Sequence, residues 1–231
     1  MRGFTDIHSH FVYGVDDGAR TRAEMEAMLD AAYADGIAAV FATPHVTPGV
    51  RAFASERFAR HLEEARAYCR ERGYGIALHE GAEILYTPAI ERIALEGRLP
   101  ELGRTGYVLV EFAPEIGYSE MDGAIGVLRR AGYAVILAHV ERYRCLYSWK
   151  NAAKLREKYG VKYQVNCSTI VEGCSFFRGM KLRQWFEEGL VDCVASDAHG
   201  SRKRPFQMRA AYRALRDVYG RKYADRLTKL L

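Results

Sequence analysis

Short apolar runs alternate with longer stretches in which apolar residues recur every three or four positions, and the alternation persists along the chain. Thr21-Arg22-Ala23-Glu24 has the form of a capping box; Met25, Met28, Leu29 and Ala32 then fall on one helical face, and Gly36 supplies the stop. Residues 55–72 carry Phe58, Leu62, Ala65 and Cys69 at helical period, closed by Gly73. The same spacing predicts helices at 123–131, 152–158, 181–188 and 204–219. Strand-like runs occupy 37–43, 76–83, 107–112, 133–139, 163–166 and 191–197, and a first strand runs into His8 and His10. Seven strands alternating with helices predict an α/β fold with a parallel sheet and helices outside it. No linker-like or low-complexity stretch interrupts the pattern, so one domain over residues 1–231 is expected.

Composition and charge adjust this picture in several ways. With 231 residues, 49% of them hydrophobic, the chain can bury one sizeable core. No apolar run approaches the ~20 residues of a membrane span and the first ten residues contain no apolar signal region, so no membrane insertion is expected. Cys69, Cys145, Cys167, Cys174 and Cys193 show no Cys-x-x-Cys spacing and are odd in number, which predicts reduced thiols in a cytoplasmic protein. The net charge of +5 fits an acidic or phosphorylated substrate and is too small to indicate nucleic acid. The most basic stretch, from Arg209 to Lys229, alternates with Met208, Tyr212, Leu215 and Leu227 near helical period and reads as the solvated face of a packed helix.

The ends of the strand-like runs carry the chemistry. The first reaches His8 and His10, followed by Asp16-Asp17-Gly18; the second ends in Thr43-Pro44-His45 and the third in Glu83. Glu111, His139 and Asn166 close the next three, and Asp197 and His199 close the last. Strand C-terminal ends are where α/β proteins assemble active sites, and residues two apart on a strand project together. Such a set of nitrogen and oxygen donors exceeds the four to six positions of one ion. Two or three divalent ions are therefore implied, with a carboxylate such as Glu83 bridging, and the thiolate-free donor set suits manganese, iron or zinc. Clustered ions lower the pKa of a bridging water and clamp the oxygens of an in-line displacement. Arg142 and Arg204, close behind His139 and His199, are candidate phosphate clamps because guanidinium forks match phosphate oxygens. The chain has no Cys-x5-Arg, no Gly-x4-Gly-Lys-Ser/Thr loop and no Gly-x-Ser-x-Gly elbow, which removes the usual nucleophile and phosphate-loop chemistries. Gly14 and Gly18 read as turn glycines, His61 as a surface residue, and His79 as either core or site.

At these residues the chain resembles the PHP (polymerase and histidinol phosphatase) superfamily, and more narrowly the bacterial manganese-dependent protein tyrosine phosphatases of capsule and exopolysaccharide operons. The resemblance is carried by Asp6-Ile-His-Ser-His10, Gly14-Val-Asp-Asp-Gly18, Ala42-Thr-Pro-His45, Gly81-Ala-Glu83, Val110-Glu-Phe112, Ala138-His-Val-Glu-Arg-Tyr143 and Ser196-Asp-Ala-His199. It implies a distorted seven-stranded β/α barrel with a trinuclear centre, manganese favoured. One ion would take His8, His10, Glu83 and Asp197; a second would share Glu83 and add Glu111 and His139; a third would use His45 and His199. Asp17, rather than Asp16, would be a ligand or general acid, and Arg142 and Arg204 would hold the phosphoryl group. The implied reaction is phosphotyrosine hydrolysis through a metal-activated hydroxide, with Asp17 or a histidine protonating the leaving group. The implied partner is a phosphotyrosine protein, such as the tail of a bacterial tyrosine autokinase in capsule production. Val140 and Val46 stand where the family commonly has proline and a second histidine, and the loops at 11–15 and 47–54 are expected to shape the entrance. Three rivals remain: a phosphatase of a small metabolite such as histidinol phosphate, an amidohydrolase, and a non-catalytic metal-binding module. The amidohydrolases usually place a carboxylated lysine where this chain has Glu111.

Overall fold

A computed structural model of the chain describes residues 3–50, 55–172 and 176–229; Cys174 and positions 51–54 of the expected entrance loop lie outside the described residues. In chain order the elements are β1 (Phe4–Ser9), α1 (Arg22–Asp35), β2 (Ile37–Ala42), β3 (His45–Val46), α2 (Ser55–Glu71), β4 (Ala77–Glu80), β5 (Glu83–Leu85), α3 (Ile90–Leu95) and β6 (Tyr107–Glu111). They continue with α4 (Tyr118–Arg130), β7 (Ala134–Leu137), α5 (Trp149–Tyr159), β8 (Lys162–Asn166), α6 (Cys167–Val171), α7 (Phe176–Glu187), β9 (Cys193–Ala195), α8 (Met208–Tyr219) and α9 (Arg221–Thr228).

Local chemistry explains where these elements begin and end. The Thr21 side chain accepts the Glu24 amide at 3.2 Å, and Gly36 closes α1 with φ 91°. The Glu24 carboxylate accepts from the Arg20 amide at 2.7 Å, one residue earlier than in the usual capping box. Helix α4 begins five residues before the predicted start at 123, because Met121 continues the buried face formed by Ala124, Ile125 and Leu128. Helix α8 begins at Met208 and not at 204: Arg204 precedes Pro205 and takes φ 50°, which no α-helix accepts. The short helices α3 and α6 fall in stretches where the sequence predicted none, whereas α8 and α9 divide the basic amphipathic stretch that the sequence read as helical up to Lys229.

The second and third strand runs are each broken in two. Thr43-Pro44 separates β2 from β3, and Gly81-Ala82 separates β4 from β5. Pro44 has no amide to donate, and its carbonyl instead accepts from Glu83 at 3.1 Å. The break puts His45 directly opposite Glu83 in the pairing of β3 with β5. All strand pairs are parallel, in a three-stranded order β1-β2-β4 and a six-stranded order β3-β5-β6-β7-β8-β9. The sheet curls until its first and last strands approach: Asp197 donates its amide to the His8 carbonyl and His10 donates to Ala198, both at 2.8 Å. The carboxylate of Asp6 adds a stitch, accepting from the Ser196 amide at 3.0 Å.

Apolar side chains divide into two clusters. The larger packs the sheet against its helices, and α8 buries Met208, Ala211, Tyr212 and Leu215 there while Arg213 and Arg216 stay exposed, as the sequence predicted. The smaller joins Ile7, Phe41, Leu109, Ile136 and Cys193, which come from strands on different sides of the sheet and can meet only within the curl. Cys69, Cys145, Cys167 and Cys193 are free thiols.

Candidate metal centre

Every strand-end residue singled out by the sequence reaches one region at the C-terminal mouth of the curl. His8, His10, Glu83 and Asp197 form one group in which each residue offers a donor atom within 4.8 Å of the others; His10, Asp17, His45 and His199 form a second, and His45, Glu83 and Glu111 a third. Glu83 lies at the middle. Its Oε2 is 3.2 Å from His8 Nε2, 3.4 Å from His10 Nε2 and 3.0 Å from His45 Nδ1, and its Oε1 is 2.7 Å from His139 Nε2. His139 also lies 3.4 Å from Glu111 Oε1. Compared with the partition implied by the family resemblance, His45 moves closer to the Glu83 and Glu111 pair, and His10 faces two groups instead of one. Asp17 Oδ1 stands 3.4 Å from His45 Nε2 and 3.5 Å from His199 Nε2.

A second layer of side chains orients these groups. Asp16 Oδ2 accepts from His10 Nδ1 at 2.6 Å and from the His45 amide at 3.1 Å, and Oδ1 accepts from the Gly18 amide at 3.0 Å. The two neighbouring aspartates therefore divide the work: Asp16 is buried and occupied, whereas the Asp17 side chain is 67% exposed and faces the histidines. Gln164 Oε1 accepts from His8 Nδ1 at 3.1 Å and from the His139 amide at 2.8 Å. Its Nε2 donates to Asn166 Oδ1, whose Nδ2 donates to Asp197 Oδ2, each at 2.8 Å. With Nδ1 donating in both His8 and His10, the neutral rings would carry their lone pairs on the Nε2 atoms, which face each other at 3.3 Å. His199 Nδ1 donates to the Asp197 carbonyl at 2.9 Å, leaving Nε2 buried without a hydrogen-bond partner, as is Glu83 Oε2. Converging lone pairs and an unsatisfied buried carboxylate oxygen are what a bound cation would resolve, so the donor set fits divalent metal ions.

The electrostatics point the same way. Burial alone would raise Glu83, but His8, His10, His139 and His45 outweigh it and hold the carboxyl well below its ordinary range. Burial would lower His10, yet Asp16, Asp197 and Glu83 drive it well above 6.5. Burial would likewise raise Asp197, and the imidazoles of His8 and His10 bring it down. Glu111 is raised by burial and by Glu83 beside it, and His199 is pushed down to about 4 by burial and by His10 and Arg204. The pocket of carboxylates thus demands positive charge, supplied by protons or by metal.

Two cations border the centre. Arg142 Nη2 and Arg204 Nη2 both donate to Asp197 Oδ2, at 3.0 and 2.7 Å, and Arg142 Nη1 lies 3.8 Å from Glu111. Backbone strain gathers here too. Among the described residues, the non-glycine positions with positive φ are His139 (32°), Asp197 (54°) and Arg204 (50°).

Two sequence readings change, and an open one is decided. Gly18 is required by close approach and not by turn geometry: a Cβ there would stand 2.1 Å from the His10 carbonyl oxygen. His61 is buried rather than exposed; its ring stacks on Tyr13 at 3.7 Å and its Nδ1 donates to the Tyr13 carbonyl at 2.8 Å. His79 packs on Phe41 with centroids 4.7 Å apart, away from the centre. Gln164 was missed altogether, and its only signal was a polar side chain within the apolar run Tyr163-Gln164-Val165.

Residues 4–229 match the family model for capsular polysaccharide synthesis proteins of the CpsB/CapC type. The chain belongs to the CpsB/CapC family. It is 31% identical over 230 residues to the tyrosine-protein phosphatase CpsB of Streptococcus pneumoniae, covering 96% of this chain and 93% of the relative. Against the tyrosine-protein phosphatase YwqE of Bacillus subtilis it is 30% identical over 237 residues, covering 97% and 88%. The solved structures of YwqE and of the pneumococcal CpsB, described as metal-dependent tyrosine phosphatases, include a chain that superposes with a TM-score of 0.84 at 26% identity, covering 95% of this chain and 89% of that one. The phosphotriesterase homology protein of Escherichia coli shares the fold at a TM-score of 0.60 and 14% identity, over 99% of this chain and 96% of its own. The parallel curled sheet of this CpsB/CapC protein thus matches the fold of a solved tyrosine phosphatase structure. No helix among the described residues is long and apolar enough to cross a membrane.

Proposed function

We propose that this CpsB/CapC protein is a metal-dependent protein-tyrosine phosphatase whose centre holds two to three divalent ions, manganese favoured over iron or zinc. The observation that carries the reading is the convergence of five imidazoles, Glu83, Glu111 and Asp197 beside two guanidinium groups. His8, His10, Glu83 and Asp197 would hold one ion, Glu83, Glu111 and His139 a second, and His45, His199 and Asp17 a third. Bound ions there would supply charge against phosphoryl oxygens and acidify a water to a nucleophile usable at neutral pH.

The chain's own groups do the rest. Arg142 and Arg204 each spend one N–H on Asp197, which fixes the forks in place and leaves further donors for phosphoryl oxygens. Their side chains are 40% and 48% exposed, so an incoming phosphate can reach them. Asp17, at the exposed rim, is placed to protonate the departing phenolate or to join the third ligand set. Asp16, Gln164 and Asn166 hold the imidazoles and Asp197 in register. The nine strands among the described residues are best counted as seven, with β2 and β3 as one and β4 and β5 as another, closed into a distorted barrel by the link between His8 and Asp197. We place the whole chain in one cytoplasmic domain acting on a phosphotyrosine protein, such as the tail of a tyrosine autokinase in capsule production.

The test is elemental analysis of protein purified without chelator, followed by turnover of a phosphotyrosine peptide and of histidinol phosphate with added manganese. Two to three bound equivalents and strong preference for the peptide are expected. Equal turnover in excess chelator, or preference for histidinol phosphate, overturns the reading.

A further inference from the structure

A cleft of about 620 Å³ opens beside the centre, and Asp17, His199 and Arg204 belong to both. That volume lies within the ~300–1,000 Å³ range of ligand sites and exceeds what a phosphoryl group alone needs. Its remaining wall is basic: Arg20 comes from the loop before α1, and Arg202 and Lys203 from the turn after β9. All three are exposed, and none makes an ion pair among the described residues. Elsewhere on the surface arginines are commonly matched, as Arg22 is with Glu26, Arg183 with Glu187 and Arg144 with Glu115. One carboxylate of the cleft, Glu24, is turned to the Arg20 amide. The turn that bears Arg202 and Lys203 is closed by a hydrogen bond from the His199 amide to the Arg204 carbonyl at 3.0 Å, with Gly200 fitted closely under Lys203. The charges are therefore held at the rim by a defined backbone.

Unmatched cations fixed around a cleft that runs into a phosphate site favour anionic groups on either side of the reacting phosphate. We infer that the preferred substrates are peptides carrying acidic residues within a few positions of the phosphotyrosine, with Arg20, Arg202 and Lys203 as the residues that select them. The inference rests on the proposed phosphatase activity and concerns specificity, not the chemical step. Exposed pairs are individually weak and screened by salt, so the selectivity comes from several acting together and appears in KM more than in kcat.

Three phosphotyrosine peptides that differ only in their flanks (Asp/Glu, Asn/Gln or Lys) test it, together with a small aryl phosphate that has no flanks. At low salt the acidic peptide is expected to exceed the neutral one by about tenfold in kcat/KM, shrinking to less than about twofold near 0.5 M salt. The R20Q/R202Q/K203Q variant should lose that advantage and turn over the aryl phosphate as the parent does. Fluorescence anisotropy with the same peptides bearing a non-hydrolysable phosphonate reads the preference without turnover and should follow the same order. Equal kcat/KM and equal binding for all three flanks, or an advantage that survives in the triple variant, overturns the inference while leaving the phosphatase intact. Loss of aryl phosphate turnover in the parent strikes at the activity itself, and the anisotropy series then still decides whether the rim selects acidic flanks.

Discussion

The interior of the curled sheet has an apolar end and a charged end, and the same strands build both. Counting by twos, Phe41 is followed by Thr43 and His45, His79 by Gly81 and Glu83, Tyr107 by Leu109 and Glu111, Lys162 by Gln164 and Asn166, and Cys193 by Ala195 and Asp197. The first members lie at the smaller apolar cluster or line the cavity of about 330 Å³ beside it, and the last lie at the candidate centre. One periodicity thus sets core and chemistry together, and a residue becomes a candidate ligand by being the last inward position before its strand ends. Two strands depart from the rule. In β1 the pairing register shifts between Asp6 and Ser9, so Ile7 joins the apolar end while His8, one residue on, reaches the centre. After β7, His139 follows Ala138 into the centre by taking φ 32°.

Substitutions at the two ends should fail in different ways. The largest effect is expected for Glu83→Gln, which touches four imidazoles: turnover should fall at least about 1,000-fold, and elemental analysis should find metal lost in parallel. A Glu83→Gln protein that keeps its metal and its rate would remove the charged end as the seat of chemistry. Asp16→Asn should cost roughly 10- to 100-fold in metal affinity or activity by loosening His10 and the His45 amide, although Asp16 belongs to none of the three ligand groups. Leu109→Ala, at the buried apolar end, should do the opposite, costing about 2–4 kcal/mol in denaturant unfolding with kcat/KM held within about threefold. Chelation sharpens the contrast. Stripping metal should lower Tm by about 5–10 °C in the parent and in Leu109→Ala alike, and much less in Glu83→Gln.

The smallest effect concerns a histidine at the wrong end. His79 is lowered from 6.5 by burial and by Arg66, the reverse of His10, because no carboxylate of the centre reaches it. Folding therefore favours its neutral form, and between its folded value and 6.5 the unfolded chain binds more protons. Its contribution is present above 6.5 and is lost as pH falls through the folded value. His79→Gln should flatten the Tm difference between about pH 7.5 and pH 5.5 by roughly 1–2 °C, the side chain being only partly buried. A steeper acid loss in the variant would mean that another group carries that dependence.

Alternation and run ends made the parallel α/β sheet legible in the sequence, along with the gathering of His8, His10, Glu83 and Asp197. What stayed hidden depends on contacts between distant segments. Asp16 and Asp17 look alike in sequence, and only the 2.6 Å approach of His10 makes Asp16 the buried partner. Gln164 reads as a flaw in an apolar strand until two histidines and Asn166 surround it. His61 has charged neighbours along its helix, so nothing local reveals that Tyr13 covers it. The breaks at Thr43-Pro44 and Gly81-Ala82 leave the apolar runs intact to the eye, because all four of these residues are themselves buried. Helix starts at 118 and 208 were displaced by glycines inside one helix and by Pro205 before the other.

The left-handed backbone at His139, Asp197 and Arg204 has a bearing on how such a protein ages in evolution. Each of these residues holds a conformation that a non-glycine L-residue adopts at a cost of about 1–2 kcal/mol. Glycine at any of the three would relax the chain locally and delete a side chain from the charged mouth. Selection for a stable fold alone would therefore favour a smoother, inert barrel, and the strain is a cost that only the use of those side chains would offset.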